Sequence, residues 1–168
     1  YELHGDAQYD FQSVNFADDE FKKNNFDLIL GNRFYKYKKA LQNGMPIPIF
    51  LGNIFFSFMA GKLISLNFRD LFPGFRAYSK LFFDTIEGKK FSWDYRFSFE
   101  IIAISKLNKL KIGNVPVCCN YKGSRKTPPY IYAIKALISI LITGCNYRLS
   151  ALSLVYKSRI NGNKKNSK

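Results

Sequence analysis

The chain has 168 residues, 47% of them hydrophobic and including 17 Phe and 11 Tyr, enough for one packed domain and too apolar for a disordered chain. Its formal charge of +14 is polarised: all 12 acidic residues and 13 Lys or Arg fall within positions 1–100, while positions 101–168 hold 13 Lys or Arg and no acid. Three cysteines without a CxxC pair, and one histidine, argue against a structural zinc site; the one-signed second half points to a polyanionic neighbour.

The chain opens Tyr-Glu-Leu-His-Gly-Asp, without a methionine or a signal-peptide pattern, and reads as the tail of a strand (1–3) entered mid-domain. A polar loop follows at 4–13. Val14–Asn24 reads as a helix with Asp18, Asp19 and Glu20 near its start, where acids suit the helix dipole. Phe26–Leu30 is a short strand ended by Gly31 and Asn32. Residues 33–46 read as a basic loop. Ile49–Ser65 is a helix with a stripe at Phe50, Ile54, Phe58 and Lys62. Pro73-Gly74 punctuates a loop before a strand at Phe75–Tyr78 and a short helix at Ser79–Thr85. A polar and aromatic loop, 89–96, leads into a helix at Phe97–Leu107 with an apolar face at Phe97, Ile101 and Ile104. Lys111–Cys119 has the pattern of a strand near a sheet edge, and Ile131–Ile142 of another helix. The polar residues 157–168 read as a basic disordered tail. Alternating strands and helices argue an α/β domain. Pro46, Pro48, Gly52 and Gly61 interrupt the uncharged stretch 40–61, and Asn146 and Arg148 interrupt 136–156. No spanning helix is therefore expected, while an interfacial one remains open.

The first chemical cluster is His4, Asp6, Gln8 and Asp10 beside a strand end, where hard cations and phosphates find oxygen ligands. His4-Gly5-Asp6-Ala7-Gln8 resembles the Asp-x-Asp-x-Gln segment of family 2 glycosyltransferases, a group that includes the dolichyl- and polyprenyl-phosphate sugar synthases. Further segments follow in the family's order. Gly31-Asn32-Arg33-Phe34 resembles its Gly-Ser-Arg-Phe strand end. Gly44-Met45-Pro46 and Gly52-Asn53 resemble its Gly-Met-Pro turn and Gly-Asn helix start. Asp70-Leu71-Phe72-Pro73-Gly74-Phe75-Arg76-Ala77-Tyr78 resembles its Asp-x-x-Ser-Gly-Phe-Arg-Ala-Tyr segment. Phe99-Glu100 and Val115-Pro116-Val117 through Tyr121 match its Phe-Glu helix and Val-Pro strand. The likeness covers roughly residues 3–127. His4 replaces the first Asp of Asp-x-Asp and is a poorer Mg2+ ligand. Pro73 replaces a Ser, and Asn114 an acid. The family's nucleotide-binding first half has no counterpart in the chain.

The resemblance implies the C-terminal portion of a GT-A fold, a Rossmann-like three-layer α/β/α nucleotide-diphospho-sugar transferase domain over 1–127. Apolar helices at 128–156, open to a membrane-interfacial placement, and the tail at 157–168 would follow. It implies inverting transfer of a sugar from a nucleotide-sugar donor to a lipid-linked or saccharide acceptor, with turnover expected only of a complete parent. The alternative is an inactive remnant with a membrane-associated binding role. A divalent cation, Mg2+ or Mn2+, would sit on Asp6 and His4. Asp6, Gln8, Arg33 and Arg76 would hold the donor diphosphate, the arginines through their planar forks. Asp94 and Glu100 are the candidate bases for a hydroxyl acceptor, and Asp70 orients acceptor or loop. Surface ion pairs for the arginines, and an Asx-turn or cap for Asp70, are the structural alternatives. Trp93 and Tyr95-Arg96 line an acceptor groove or a rim. The basic second half is expected against an anionic membrane, peripheral on its cytoplasmic face. No helix-turn-helix, RNP or KH signature supports a nucleic-acid partner.

Overall fold

The computed structural model describes residues 1–4, 11–121 and 128–165. Four short strands form one sheet: β1 (Glu2–Leu3), β2 (Leu28–Asn32), β3 (Phe75–Tyr78) and β4 (Ile112–Pro116), in the order β1-β3-β2-β4. β3 runs antiparallel to both β1 and β2, and β2 runs parallel to β4 with Leu28 opposite Ile112 and Asn32 opposite Pro116. β4 sits at the sheet edge, as the Pro in its pattern suggests. The molecule is a mixed α/β domain with several helices and a small open mixed sheet.

Alternation along the strands sorts side chains to two faces. Ile29, Phe75, Ala77 and Val115 pack on one face under α1 (Gln12–Asn24), through Ala17. Leu28 and Leu30 pack on the other, in a cluster with α3 (Ile47–Ile64), α5 (Arg96–Leu107) and α6 (Pro129–Lys165), through Ile64, Ile102 and Ile140. Each such fully buried aliphatic side chain stabilises the fold by about 1.5–3 kcal/mol relative to exposure. A third cluster, Phe34, Ala40, Met45, Ile49, Cys119 and Tyr121, closes the end of the sheet where β2 and β4 finish. Gly31 is demanded there: a Cβ would meet Val117 Cγ1 at 2.9 Å and Phe75 backbone oxygen at 3.2 Å.

Several expectations are corrected. Helix α1 starts at Gln12, so Asp18, Asp19 and Glu20 lie in its middle and no acid occupies the first turn. Part of the basic loop is helical, α2 (Tyr37–Gln42). Helix α5 buries Phe99, Ile101 and Ile102 rather than a stripe through Phe97 and Ile104. In α3 the buried line is Ile49, Asn53, Ser57, Ala60 and Ile64, while Phe58 and Lys62 face out. Pro46 is its N-cap and Pro48 lies in its first turn, where a missing N–H costs nothing. The prolines therefore start the helix instead of breaking it. Helix α6 runs on past Ile142, through Gly144, and its backbone stays helical to Lys165 where the sequence reads as a disordered tail. Two helical stretches, Ile47–Ile64 and Tyr130–Leu154, are consequently long and apolar enough to cross a membrane by length and composition, against the expectation of none. α4 (Lys80–Ile86) matches its expectation closely, with Ser79 as N-cap accepting from Phe82 N at 3.1 Å.

Candidate functional site

The C-terminal ends of β2 and β4 open into a cavity of about 290 Å³, the place where an open α/β sheet binds ligands. Arg33 follows the end of β2, Lys36 caps the start of α2 and Lys39 lies within it, α1 contributes Gln12 and Ser13, and the segment after β4 contributes Cys118. Among the described lining residues there are three cations and no carboxylate. Such a pocket suits a phosphate or diphosphate, which gains charge-assisted hydrogen bonds from fixed cations. Lys36 and Lys39 were not singled out from the sequence. Their signal was the run of four cations from Arg33 to Lys39, and only the α2 helix turns two of them into the cavity.

Arg33 anchors the rim. Its Nε donates to Asp70 Oδ2 and its Nη2 to Asp70 Oδ1, both at 2.7 Å, a two-pronged pair. Nη2 also donates to the Phe72 carbonyl at 3.1 Å, and Nη1 reaches the Tyr121 hydroxyl at 3.5 Å. The Asp70 side chain is fully buried. The pair thus ties the 70–74 loop to the end of β2, and Asp70 serves as the partner of Arg33. From Phe72 the rim continues as packed rings: Phe72 lies 5.7 Å from Tyr132, and Tyr132 lies 5.6 Å from Tyr95. Lys135 Nζ stands 5.3 Å over the Tyr95 ring. Beside them Trp93 is fully exposed.

The remaining candidates lie elsewhere. Arg76, in β3, is 1% exposed. Its guanidinium donates to Glu2 and Ser98 and stands 5.7 Å over the Phe97 ring. It is absent from the described cavity lining, so its fork is engaged within the core. Tyr78 donates to the same Glu2 carboxylate; burial, followed by that hydrogen bond, pushes its phenol well above the usual value. Asp94 accepts from the Arg96 backbone at 2.8 Å and from Arg96 Nε at 3.1 Å. The Arg96 side chain and backbone bonds hold the Asp94 carboxyl below its usual range, which suits a helix-start turn better than proton abstraction near neutrality. Glu100 accepts from Ser92 N at 2.8 Å and Ser92 Oγ at 2.7 Å, closing the loop before α5. His4 donates its backbone N–H to Gly74 O, so the strand end bearing it lies beside the start of β3. Asp6, Gln8 and Asp10 lie outside the described residues. Among the described residues no three His, Cys, Asp or Glu side chains are placed to hold a metal ion, and Asp6, the other residue expected to hold a cation with His4, lies outside them.

No family model, no curated protein and no solved structure matches this chain. The fold is a generic small α/β architecture, and any activity is argued from the cavity and the residues around it.

Proposed function

We propose that this chain is the acceptor-side portion of a family 2, GT-A-type glycosyltransferase. It would work at a membrane, moving a sugar from a nucleotide-sugar donor to a lipid-linked or other membrane-borne acceptor with inversion. The observation that carries the reading is convergence. Segments that resemble the family in order along the chain come together around one cavity: Asn32-Arg33 at the end of β2, Asp70 bonded to Arg33, Gly44-Met45 beneath Tyr121, and Pro116 through Tyr121 after β4. Lys36 and Lys39 of that cavity, beside an Arg33 already matched by Asp70, favour an anionic ligand, either a diphosphate leaving group or an acceptor phosphate. A phosphate acceptor is already ionised and needs no general base, which agrees with Asp94, Glu100 and Asp70 each being committed to other partners. A divalent cation belongs to the reading through Asp6, as the group that would offset charge on the departing diphosphate.

The second reading is a binding role without turnover. The same commitment of the three carboxylates favours it. One experiment separates the two. A protein containing this chain is given labelled nucleotide sugars and vesicles bearing a polyprenyl phosphate, with and without EDTA, and the assay is repeated with Asp6→Ala and with Lys36→Ala/Lys39→Ala. Transfer that falls at least about tenfold in all three supports the transferase. Undiminished transfer with EDTA and with Asp6→Ala refutes the cation. Vesicle-bound phosphate that is retained but never glycosylated leaves the binding role. Turnover is not expected of the 168 residues alone, and transfer above background by them overturns that expectation.

A further inference from the structure

Helix α3 leaves a row of bulky apolar side chains outside. Its Asn53 and Ser57 are buried, each 2% exposed, with Ala60 and Gly61, while Ile47, Leu51, Phe55 and Phe58 stand 57% to 63% exposed. Helix α6 repeats the pattern. Ala136, Ser139, Ile140 and Thr143 are buried, and Ile134, Ile138, Leu141, Leu149 and Leu152 face out. The two helices run in the same direction. The Tyr132 hydroxyl donates to Asn53 Oδ1 at 3.0 Å, Gly144 abuts Leu63, and Arg148 donates to the Lys62 carbonyl at 3.2 Å. A Cβ on Gly144 would stand 2.6 Å from Leu63 Cδ1, so small residues let these backbones approach. In water, bulky apolar side chains belong in such a seam and polar ones outside. Here small and polar residues share the seam with Ile49, Ile64 and Ile140, while a row of bulky apolar side chains on each of two neighbouring helices is left outside, as in helices whose surroundings are lipid.

The identity of the surroundings follows from charge and from how α3 is held. Neither helix contains a single Asp or Glu. Of the described exposed cations on and just after these helices, Lys62, Arg69 and Arg148 stand toward the C-terminal end of α3, while Lys135, on α6 beside Ile134, stands over the Tyr95 ring. A groove of about 670 Å³ lies at that rim, lined by Phe58, Lys62, Asn67 and Arg69. Anionic headgroups beside an acyl layer match this order of apolar face and basic rim. α3, about 27 Å long, is packed onto the domain from Ile49 to Ile64, so it lies along the surface and cannot cross a bilayer without carrying the sheet with it.

We propose that the outer faces of α3 and α6 form a monotopic membrane seat, occupied by the acyl layer of one anionic leaflet. Lys62, Arg69 and Arg148 meet the headgroup phosphates at its edge. The seat extends the membrane placement of the preceding reading but stands on burial and charge alone, and its test involves no sugar transfer.

The sole tryptophan, Trp93, allows a direct test. In a Trp93→Phe background, single tryptophans replace Phe55, Leu141 and, as a control on the far face of the sheet and away from the cavity, the exposed Lys23 of α1. Phosphatidylcholine–phosphatidylglycerol vesicles with brominated acyl chains should quench the tryptophans at 55 and 141 and spare the one at 23. Phe55→Asp/Leu141→Asp should lower the vesicle-bound fraction about tenfold or more, while both proteins melt alike because both sites are exposed in solution. Binding by the parent should persist in part at high salt, which an electrostatic tail alone would not allow. Unquenched tryptophans at 55 and 141, or undiminished binding by the double variant, overturns the seat. So does a lipid-free dimer, seen by sedimentation, that shields both positions, since a second copy would then be the occupant.

Discussion

The end of the sheet and the α3–α6 seam both bury polar groups, for opposite purposes. At the sheet end the buried groups are charged and matched: both Asp70 oxygens are taken by Arg33, and the pair pins a loop to a strand end. In the seam they are small and neutral. Ser57 Oγ accepts from Leu71 N at 2.9 Å, and Asn53 donates to the Ile49 carbonyl at 2.8 Å and accepts from Tyr132, while Thr143 Oγ1 has no hydrogen-bond partner among the described residues. The difference teaches that a buried polar residue reports on function only once its partner is known. A matched ion pair fixes a loop to a strand end, while small residues between helices let their backbones approach.

The sharpest test of that contrast is Asp70→Ala. It leaves the Arg33 guanidinium, in a side chain 9% exposed, without its counter-charge, and should cost about 3–5 kcal/mol in urea denaturation. Arg33→Met/Asp70→Leu should recover much of that loss, because removing both charges removes the desolvation problem. A double variant as unstable as the single one would show that the pair holds more than each other.

In the seam, Gly144→Val should cost about 1–2 kcal/mol by forcing Leu63 aside, and a companion Leu63→Ala should restore part of it by making room. Additive losses, measured by thermal melting, would place the two helices further apart than described.

Arg76→Met tests whether every buried arginine behaves like Arg33. Among the described residues its Nε has no hydrogen-bond partner, and its ion-pair partner Glu2 has a side chain 30% exposed, so water can take over that carboxylate. The expected loss is no more than about 1 kcal/mol. A loss as large as that of Asp70→Ala would erase the distinction between the two arginines.

The smallest effect concerns Tyr78. Its phenol is raised in the folded state by burial and by the bond to Glu2. The unfolded chain therefore sheds this proton first. The contribution to stability is whole below the ordinary phenol value of about 10 and declines as pH rises from there toward the higher folded value. Tyr1 adds a weaker slope of the same sign, pushed up to about 12 by its hydrogen bond to Asp18. Denaturation midpoints from pH about 8 to about 11 should fall less steeply for Tyr78→Phe than for the parent. Equal slopes would remove Tyr78 as the cause.

Local signals were legible where the chain obeys local rules. The Pro-Gly turn before β3, the short helix begun at Ser79 and the apolar run of β2 predict their elements within about two residues, the usual uncertainty of boundaries, while the strand read as Lys111–Cys119 ends three residues earlier, at Pro116. Helix α2 was not legible, because a six-residue segment with two lysines carries no periodic face and takes its shape from Ala40 docking on Met45 and Tyr121. The continuation of α6 through Gly144 was masked by a residue that reads as a breaker and is small because Leu63 needs its place. Of the site, the residue types were visible in the order of the segments. The bonding of Arg33 to Asp70, 37 residues away, was not.

Composition and pattern alone determined that the chain makes one α/β domain, that its second half is uniformly basic, and that several helices carry apolar stripes. Periodicity states which residues share a face, since that follows from 3.6 residues per turn. It does not state which face turns inward. Only the tertiary structure decided that Asn53, Ser57, Ser139 and Thr143 lie inside while Phe55, Phe58, Ile138 and Leu141 lie outside. That choice depends on which helices meet and how closely their backbones approach, and both are contacts between residues far apart in the chain.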